Sequence, residues 1–298
     1  MSSRALPAPS APGALRQPRQ RTALRYYASR FWKFKLGLAA IVVLVLLYVA
    51  AFLGPYLLSR SPNELSFLET LQGPSLKHWL GTDDTGRDVF TRLIYGGRVS
   101  LFASAFAVLI SATVGVVLGA IAGYYGGFVD AAVMRCTDAL LAIPTFLLLL
   151  VVLSIFGSSL THLVVAIGLT SWMTVTRLVR SDFLRYREAE FVLAANALGA
   201  SNARIIFRHI LPEVISPVIV AGSTLVGSII LLESALSYLG LGVQPPSASW
   251  GNMLSNAQSY MWTQPMLAVY PGIAIVIAVV AFNYSGEALR RALNAREG

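Results

Sequence analysis

The side chains from which enzymes, metal centres and redox sites are built are scarce in this chain. It holds three histidines, one cysteine and fourteen acidic residues in 298. His78, His162 and His209 lie far apart, and none forms a convincing nucleophile–base pair; neither H-E-x-x-H nor G-x-S-x-G occurs. Cys136 is alone, so neither a disulfide nor a thiolate metal cluster is available within the chain. The phosphate-cradling string G-x-x-x-x-G-K-[ST] is also missing, so ATP has no such loop here. These residues predict no catalytic group, no metal site and no cofactor of the chain's own.

Three ionisable residues border apolar sequence, where charge is expensive and often functional. Arg135 and Asp138 stand three apart on one helical face, a spacing that predicts a local ion pair. Glu233 falls near the end of an apolar run, within expected reach of water. Nothing charged falls clearly at a midplane. That weighs against a proton- or ion-coupled carrier, which keeps titratable groups there.

The elements that would carry such residues follow from composition. The chain is 56% hydrophobic and 12% charged, with a mean hydropathy of +0.66. An ordinary soluble domain is about 45–50% apolar and about 25% charged. This chain cannot clothe a solvated surface and is too apolar to be disordered. A bilayer span takes about 20 apolar residues. Charge-free runs of 23, 31 and 38 residues cover 36–58, 99–129 and 139–176. Runs of 19 and 53 cover 214–232 and 234–286. Gly157-Ser158-Ser159 divides the third run. Pro245-Pro246 and a polar string break the last, leaving a span from about Met266 to Tyr284. The expected architecture is an all-α polytopic membrane protein of six transmembrane helices.

The net charge of +9 is unevenly placed. Residues 1–35 carry eight basic side chains and no acid, whereas 59–98 carry five of each sign. The stretch 177–213 has six basic against four acidic, and 285–298 three against two. Basic loops beside spans mark the cytoplasmic side. This places both termini and 177–213 inside and 59–98 outside, and it makes the charge a topology signal instead of a nucleic-acid footprint. The expected units are a disordered basic segment 1–30, a first span 31–58 and an extracytoplasmic loop 59–98. A five-helix core 99–290 with an inner loop 181–212 follows, then a tail 291–298.

Within the second run, Ser111, Gly115, Gly119 and Gly123 recur every four residues, a small-residue face where another helix can approach closely. Pro144 predicts a kink. Trp79, Trp250, Tyr260 and Trp262 read as interfacial anchors in contact with membrane lipid. In the inner loop, residues 188–198 are good helix formers. Gly199 suits a left-handed stop, Ser201 a cap and Pro212 a helix opening. The result is a short helix–turn–helix that exposes small and apolar side chains, as a docking surface does. Phe191 and Leu198 are the candidate knobs, beside Glu190, Ala194, Ala195 and Ala200.

Ala194-Ala195, Gly199 and the closing Leu211-Pro212 resemble the EAA loop of ABC-importer permeases. Leu193 stands where Glu is usual and His209 where Ile is usual, and both departures resemble the peptide and nickel branch. Gly81-Thr82-Asp83-Asp84-Thr85-Gly86-Arg87-Asp88 resembles that branch's GTDxxGRD segment. The segment from Glu233 through Pro245-Pro246 to Trp250-Gly251 resembles the branch's sequence after the fifth helix. The likeness covers roughly residues 30–290.

The resemblance implies a type I ABC-importer permease fold in a bacterial or archaeal cell (inner) membrane. The chain would be a non-catalytic subunit pairing with a homologous permease. It would couple through 181–212 to two ATP-binding subunits that hold ATP and Mg, and it would receive di- or oligopeptide from an extracytoplasmic binding protein. A nickel or nickel-chelate importer, and more distantly a secondary carrier, stay open.

Overall fold

The computed structural model describes residues 34–293. The basic segment 1–30 lies outside the described residues, as do positions 294–298 of the expected tail. Nine helices of eight or more residues organise the described part, joined by turns and by longer connections, the longest over 58–88. They are α1 (Lys35–Leu57), α2 (Val89–Tyr125), α3 (Gly127–Leu141), α4 (Thr145–Phe156) and α5 (Leu160–Arg187). Then come α6 (Glu190–Ala197), α7 (Leu211–Tyr238), α8 (Trp250–Ala257) and α9 (Met266–Leu293). Five helical stretches are long and apolar enough to cross a membrane, and the bent pair α3–α4 makes a sixth if it counts as one span.

Helix ends follow local chemistry. Asp88 caps α2, its Oδ1 accepting from Thr91 N at 2.7 Å. This starts the helix ten residues ahead of the charge-free run at 99, inside the segment expected to be loop. Arg92 and Arg98 are what ended the run; Arg92 is buried and Arg98 lies over the Phe52 ring, so both are accommodated within a helix. At Pro144 the chain turns by 85° between α3 and α4, the expected kink. Ser159 caps α5 by accepting from His162 N at 3.1 Å. His162 Nδ1 also lies 3.1 Å from Gly157 O, a local role at the turn.

Small residues set the closest helix pair. A Cβ on Gly115 would stand 2.6 Å from Val175 Cβ, on Gly119 2.7 Å from Thr176 O, and on Gly123 2.8 Å from Arg180 O. Ser111 continues the same stripe and is fully buried. Helices α2 and α5 are therefore in backbone contact along three turns, a separation that only glycine permits. Near Gly123, ion pairs join α3 to α5: Arg180 Nη2 donates to Asp130 Oδ2 at 2.6 Å, and Arg177 pairs with Asp138. This corrects the expected Arg135–Asp138 pair. Asp138 reaches across to the neighbouring helix, while Arg135 points to the exposed side.

Three apolar cores fill the bundle. One lies among α2, α4, α5 and α7 (Ala107, Leu149, Leu163, Ile167, Ile229). A second joins α5 and α7 to the 188–210 loop (Val179, Phe183, Val192, Ile205, Ile210, Val214). A third seats α1, α8 and α9 on α2 and α7 (Ala51, Leu101, Ile230, Trp250, Phe282). Helix α1 turns Val42, Val45, Leu46, Val49 and Leu53 outward. That suits a helix with lipid on one side.

Candidate functional site

Two constellations stand at opposite ends of the long helices. The first is the loop between α5 and α7. Helix α6 ends in a Schellman motif: Gly199 N donates to Asn196 O at 2.9 Å and Ala200 N to Ala195 O at 3.0 Å. Gly199 carries φ +79°, the left-handed conformation the motif requires. Ser201 then caps a single turn, Asn202–Arg204, and Tyr124 at the end of α2 donates to Asn202 Oδ1 at 3.0 Å. A wide π turn follows, Ile205–Ile210, in which Leu211 N reaches back five residues to Ile206 O. Pro212, in the first turn of α7, has no N–H to give to Arg208 O, which favours this wider winding.

These features hold the loop rigidly while leaving one side bare. Val192, Ile205 and Ile210 point into the core. Phe191, Ala194 and Leu198, at spacing i, i+3, i+7, share the outer face of α6, and all are exposed, Leu198 at 89%. Glu190, Gly199 and Pro212 are exposed too, whereas Ala195, Ala200 and Leu211 are half-buried. Leu193 and Phe207 join the exposed apolar set. Sequence reasoning did not name them as docking residues, because the π turn that turns Phe207 outward has no local signature.

At the other end the segment 81–92 is bound to itself. Asp83 accepts from Thr85 N (2.9 Å), Thr85 Oγ1 (2.8 Å), Arg87 N (3.0 Å) and Arg87 Nε (2.7 Å). Thr82 and Asp88 form an antiparallel bridge, and Gly81 lies buried at its edge. Gly86, with φ +76°, packs so close to Ser66 O that a Cβ would fall 1.9 Å away. Buried His78 sits between Asp88 Oδ2 (2.8 Å) and Glu69 Oε2 (3.3 Å). The hydrogen bond from Lys77 holds the Glu69 carboxyl below the usual carboxylate range, outweighing its partial desolvation, and His78 acts in the same sense. Arg92 Nη1 donates to Pro62 O at 3.1 Å, while its Nη2 has no partner among the described residues. The chemistry of this segment is that of a fastened loop and a helix cap.

Two expectations at this end are corrected. Glu233 is fully buried, not wet, because α7 runs on to Tyr238 and the stretch 239–252 folds back over it. Trp250 is not an interfacial anchor. Its ring packs on Gly97, where a Cβ would meet it at 2.9 Å, and its Nε1 donates to Leu93 O at 3.0 Å. Trp79 and Trp262 are exposed. Gly251 lies against the Ser234 backbone, and Pro245 and Pro246 are exposed in the stretch before α8.

The arrangement of helices is that of an ABC-importer permease. A chain in the inward-facing crystal structures of the MetNI methionine ABC transporter matches it with a TM-score of 0.55 at 16% identity, over 67% of this chain and 95% of that one. Residues 115–297 match the model of the binding-protein-dependent transport system inner membrane component, and residues 22–74 the N-terminal transmembrane domain of oligopeptide transport permease C. The chain belongs to this family, among the permeases of the dipeptide, oligopeptide and nickel ABC importers.

Three relatives illustrate its breadth. The dipeptide transport system permease protein DppC of Alkalihalophilus pseudofirmus is 42% identical over 88% of this chain and 86% of its own. The glutathione transport system permease protein GsiD of Pectobacterium atrosepticum is 40% identical over 94% and 93%. The nickel transport system permease protein NikC of Escherichia coli K12 is 38% identical over 90% and 95%. The chain is thus a multi-pass inner-membrane permease subunit without a reaction of its own; the ATPase of such a transporter is a separate subunit.

Proposed function

We propose that the chain is one of two homologous permease subunits of a peptide importer, and that its inner loop, expected over 181–212 but beginning at 188 because α5 runs on to Arg187, docks on one of two ATPase subunits. The observation that carries this reading is the bare apolar face of Phe191, Ala194 and Leu198, mounted on a loop whose other side is fixed in the core. An apolar patch held that firmly and left uncovered fits a protein partner. With six spans the loop and both termini lie in the cytoplasm, in line with the charge distribution. The 59–88 segment then faces the compartment from which a binding protein delivers substrate.

Peptide is the cargo favoured by relatives named for dipeptide and glutathione transport. The nickel permease relative supports a second cargo. Parallel uptake of labelled dipeptide and labelled nickel into the same vesicles separates the two. Docking is tested by Leu198→Asp, which places a charge on the exposed face without touching the core. ATP-driven uptake should fall about tenfold or more, the range of an interface hot spot, with the amount of assembled permease unchanged. Unchanged uptake at normal expression would overturn the docking assignment.

A further inference from the structure

Glu233 lies in the last turns of α7 with none of its surface exposed, and its carboxyl group is surrounded by the hydroxyls of Ser234, Ser237, Ser100 and Ser249. Ser237 donates to Oε1 at 2.8 Å, and Ser234 Oγ stands 3.5 Å from Oε2. Three of these hydroxyls are engaged on their acceptor side by backbone amides of the stretch that covers α7. Val243 N donates to Ser237 Oγ at 3.2 Å, Trp250 N to Ser100 Oγ at 3.3 Å and Asn252 N to Ser249 Oγ at 3.2 Å.

An amide on the oxygen leaves the hydroxyl proton free to turn toward the carboxyl group. The shell seen by Glu233 is therefore made of donors. Such a shell suits a carboxyl group, whose oxygens accept. Glycines bring the backbones near enough to close the shell. A Cβ on Gly242 would fall 2.0 Å from Ser237 Oγ, on Gly251 2.5 Å from Ser234 O, and on Gly96 3.2 Å from the Ser249 carbonyl carbon.

We infer that Glu233 is a positioning residue that binds the 243–252 stretch and α8 to α2 and α7, so that this end of α7 and its cover move as one body. The chain through Ser237 is hydrogen-bonded throughout, from Val243 N to Ser237 Oγ to Glu233, while Ser100 of α2 and Ser249 of the α8 cap, each holding an amide of the cover, line the same carboxyl group. Removing the one shared acceptor releases all of them together. Helix α7 has 28 residues, about 42 Å at 1.5 Å per residue, and its far end continues from the 188–210 loop. Given the docking proposed above, motion imposed at Leu211 would reach α8 through this junction. The junction itself does not depend on that reading.

The test uses the assembled transporter in nanodiscs with Cys136 replaced by Ser. A single reporter, Ala257→Cys, sits on the buried side of α8, and a control, Ala122→Cys, sits in the buried α2–α5 contact. Maleimide labelling of a buried thiol follows the local opening that exposes it. Glu233→Gln, which replaces one accepting oxygen by a donor amide, should raise labelling at 257 about tenfold or more and leave labelling at 122 unchanged. Ser100→Ala, which removes one donor and the acceptor of Trp250 N, should raise labelling at 257 to a lesser degree. If Glu233→Gln does not assemble, Ser100→Ala decides. Unchanged labelling at 257, or an equal rise at 257 and 122, overturns the inference. Loss of uptake in Leu198→Asp with normal labelling at 257 separates failure of docking from failure of this junction.

Discussion

At the scale of single residues, Gly199 shows how one conformation supports a surface. A Cβ there would meet nothing within 4 Å, so space is not the reason for glycine. Its φ of +79° is the reason, because the Schellman closure of α6 is what presents Leu198 outward. Asn tolerates this region, whereas other side chains strain it by about 1–2 kcal/mol. Gly199→Asn should therefore keep most of the ATP-driven uptake. Gly199→Glu, which adds strain and a charge beside Leu198, should abolish uptake while leaving membrane insertion intact. Uptake normalised to assembled complex reads the difference. Equal loss in both variants would mean that the partner needs the missing side chain and not the backbone turn.

At the scale of elements, the α2–α5 contact is the tightest joint. Gly119 faces Thr176 O and Val179 Cβ, both at 2.7 Å from an added Cβ, and a backbone oxygen cannot swing aside. Overpacking costs about 1–3 kcal/mol where side chains can shift, and more is expected against backbone. Gly119→Leu should lower the unfolding temperature of the purified complex and the yield of assembled chain. Gly272→Leu, in α9 and facing open space, should leave both nearly unchanged. Equal stability of the two variants would show that α2 and α5 separate without cost. This joint was legible in advance because small residues every four positions make a face where another helix can approach closely. The spans were legible for a related reason: residues that face lipid must be apolar, so α1 coincides closely with charge-free sequence, while α9 starts at the expected Met266 but runs nine residues past Tyr284, through Glu287, Arg290 and Arg291, to Leu293. What escaped was set by partners distant in sequence. Arg92 and Arg98 hid the start of α2 because their burial depends on other segments. Arg177, 39 residues from Asp138, took the place of Arg135. Glu233 looked wet because the stretch that covers it follows α7 and has no pattern of its own.

At the scale of the whole molecule, the question is where the work comes from. Shifting a two-state permease from 1:99 to 99:1 takes about 5.5 kcal/mol of differential binding. The chain lacks a nucleotide loop of the G-x-x-x-x-G-K-[ST] type. A ligand that binds both states equally shifts nothing, so under the docking proposed above an ATPase would hold the 188–212 loop more tightly in one state than in the other. Two such loops, one from each permease, would share the load at about half the total each, well within what a small apolar hot spot supplies. The proposed assembly pairs two permeases with two ATPases. A tagged chain purified in mild detergent should accordingly bring down one homologous permease and two ATPase subunits. Proteoliposomes holding this chain alone should show no ATP-driven uptake. Full uptake by the isolated chain, driven by an ion gradient, would overturn the importer reading and restore the carrier. Recovery of the four-part complex, with uptake lost when the loop face is charged, would locate the power stroke at Leu198 and its neighbours.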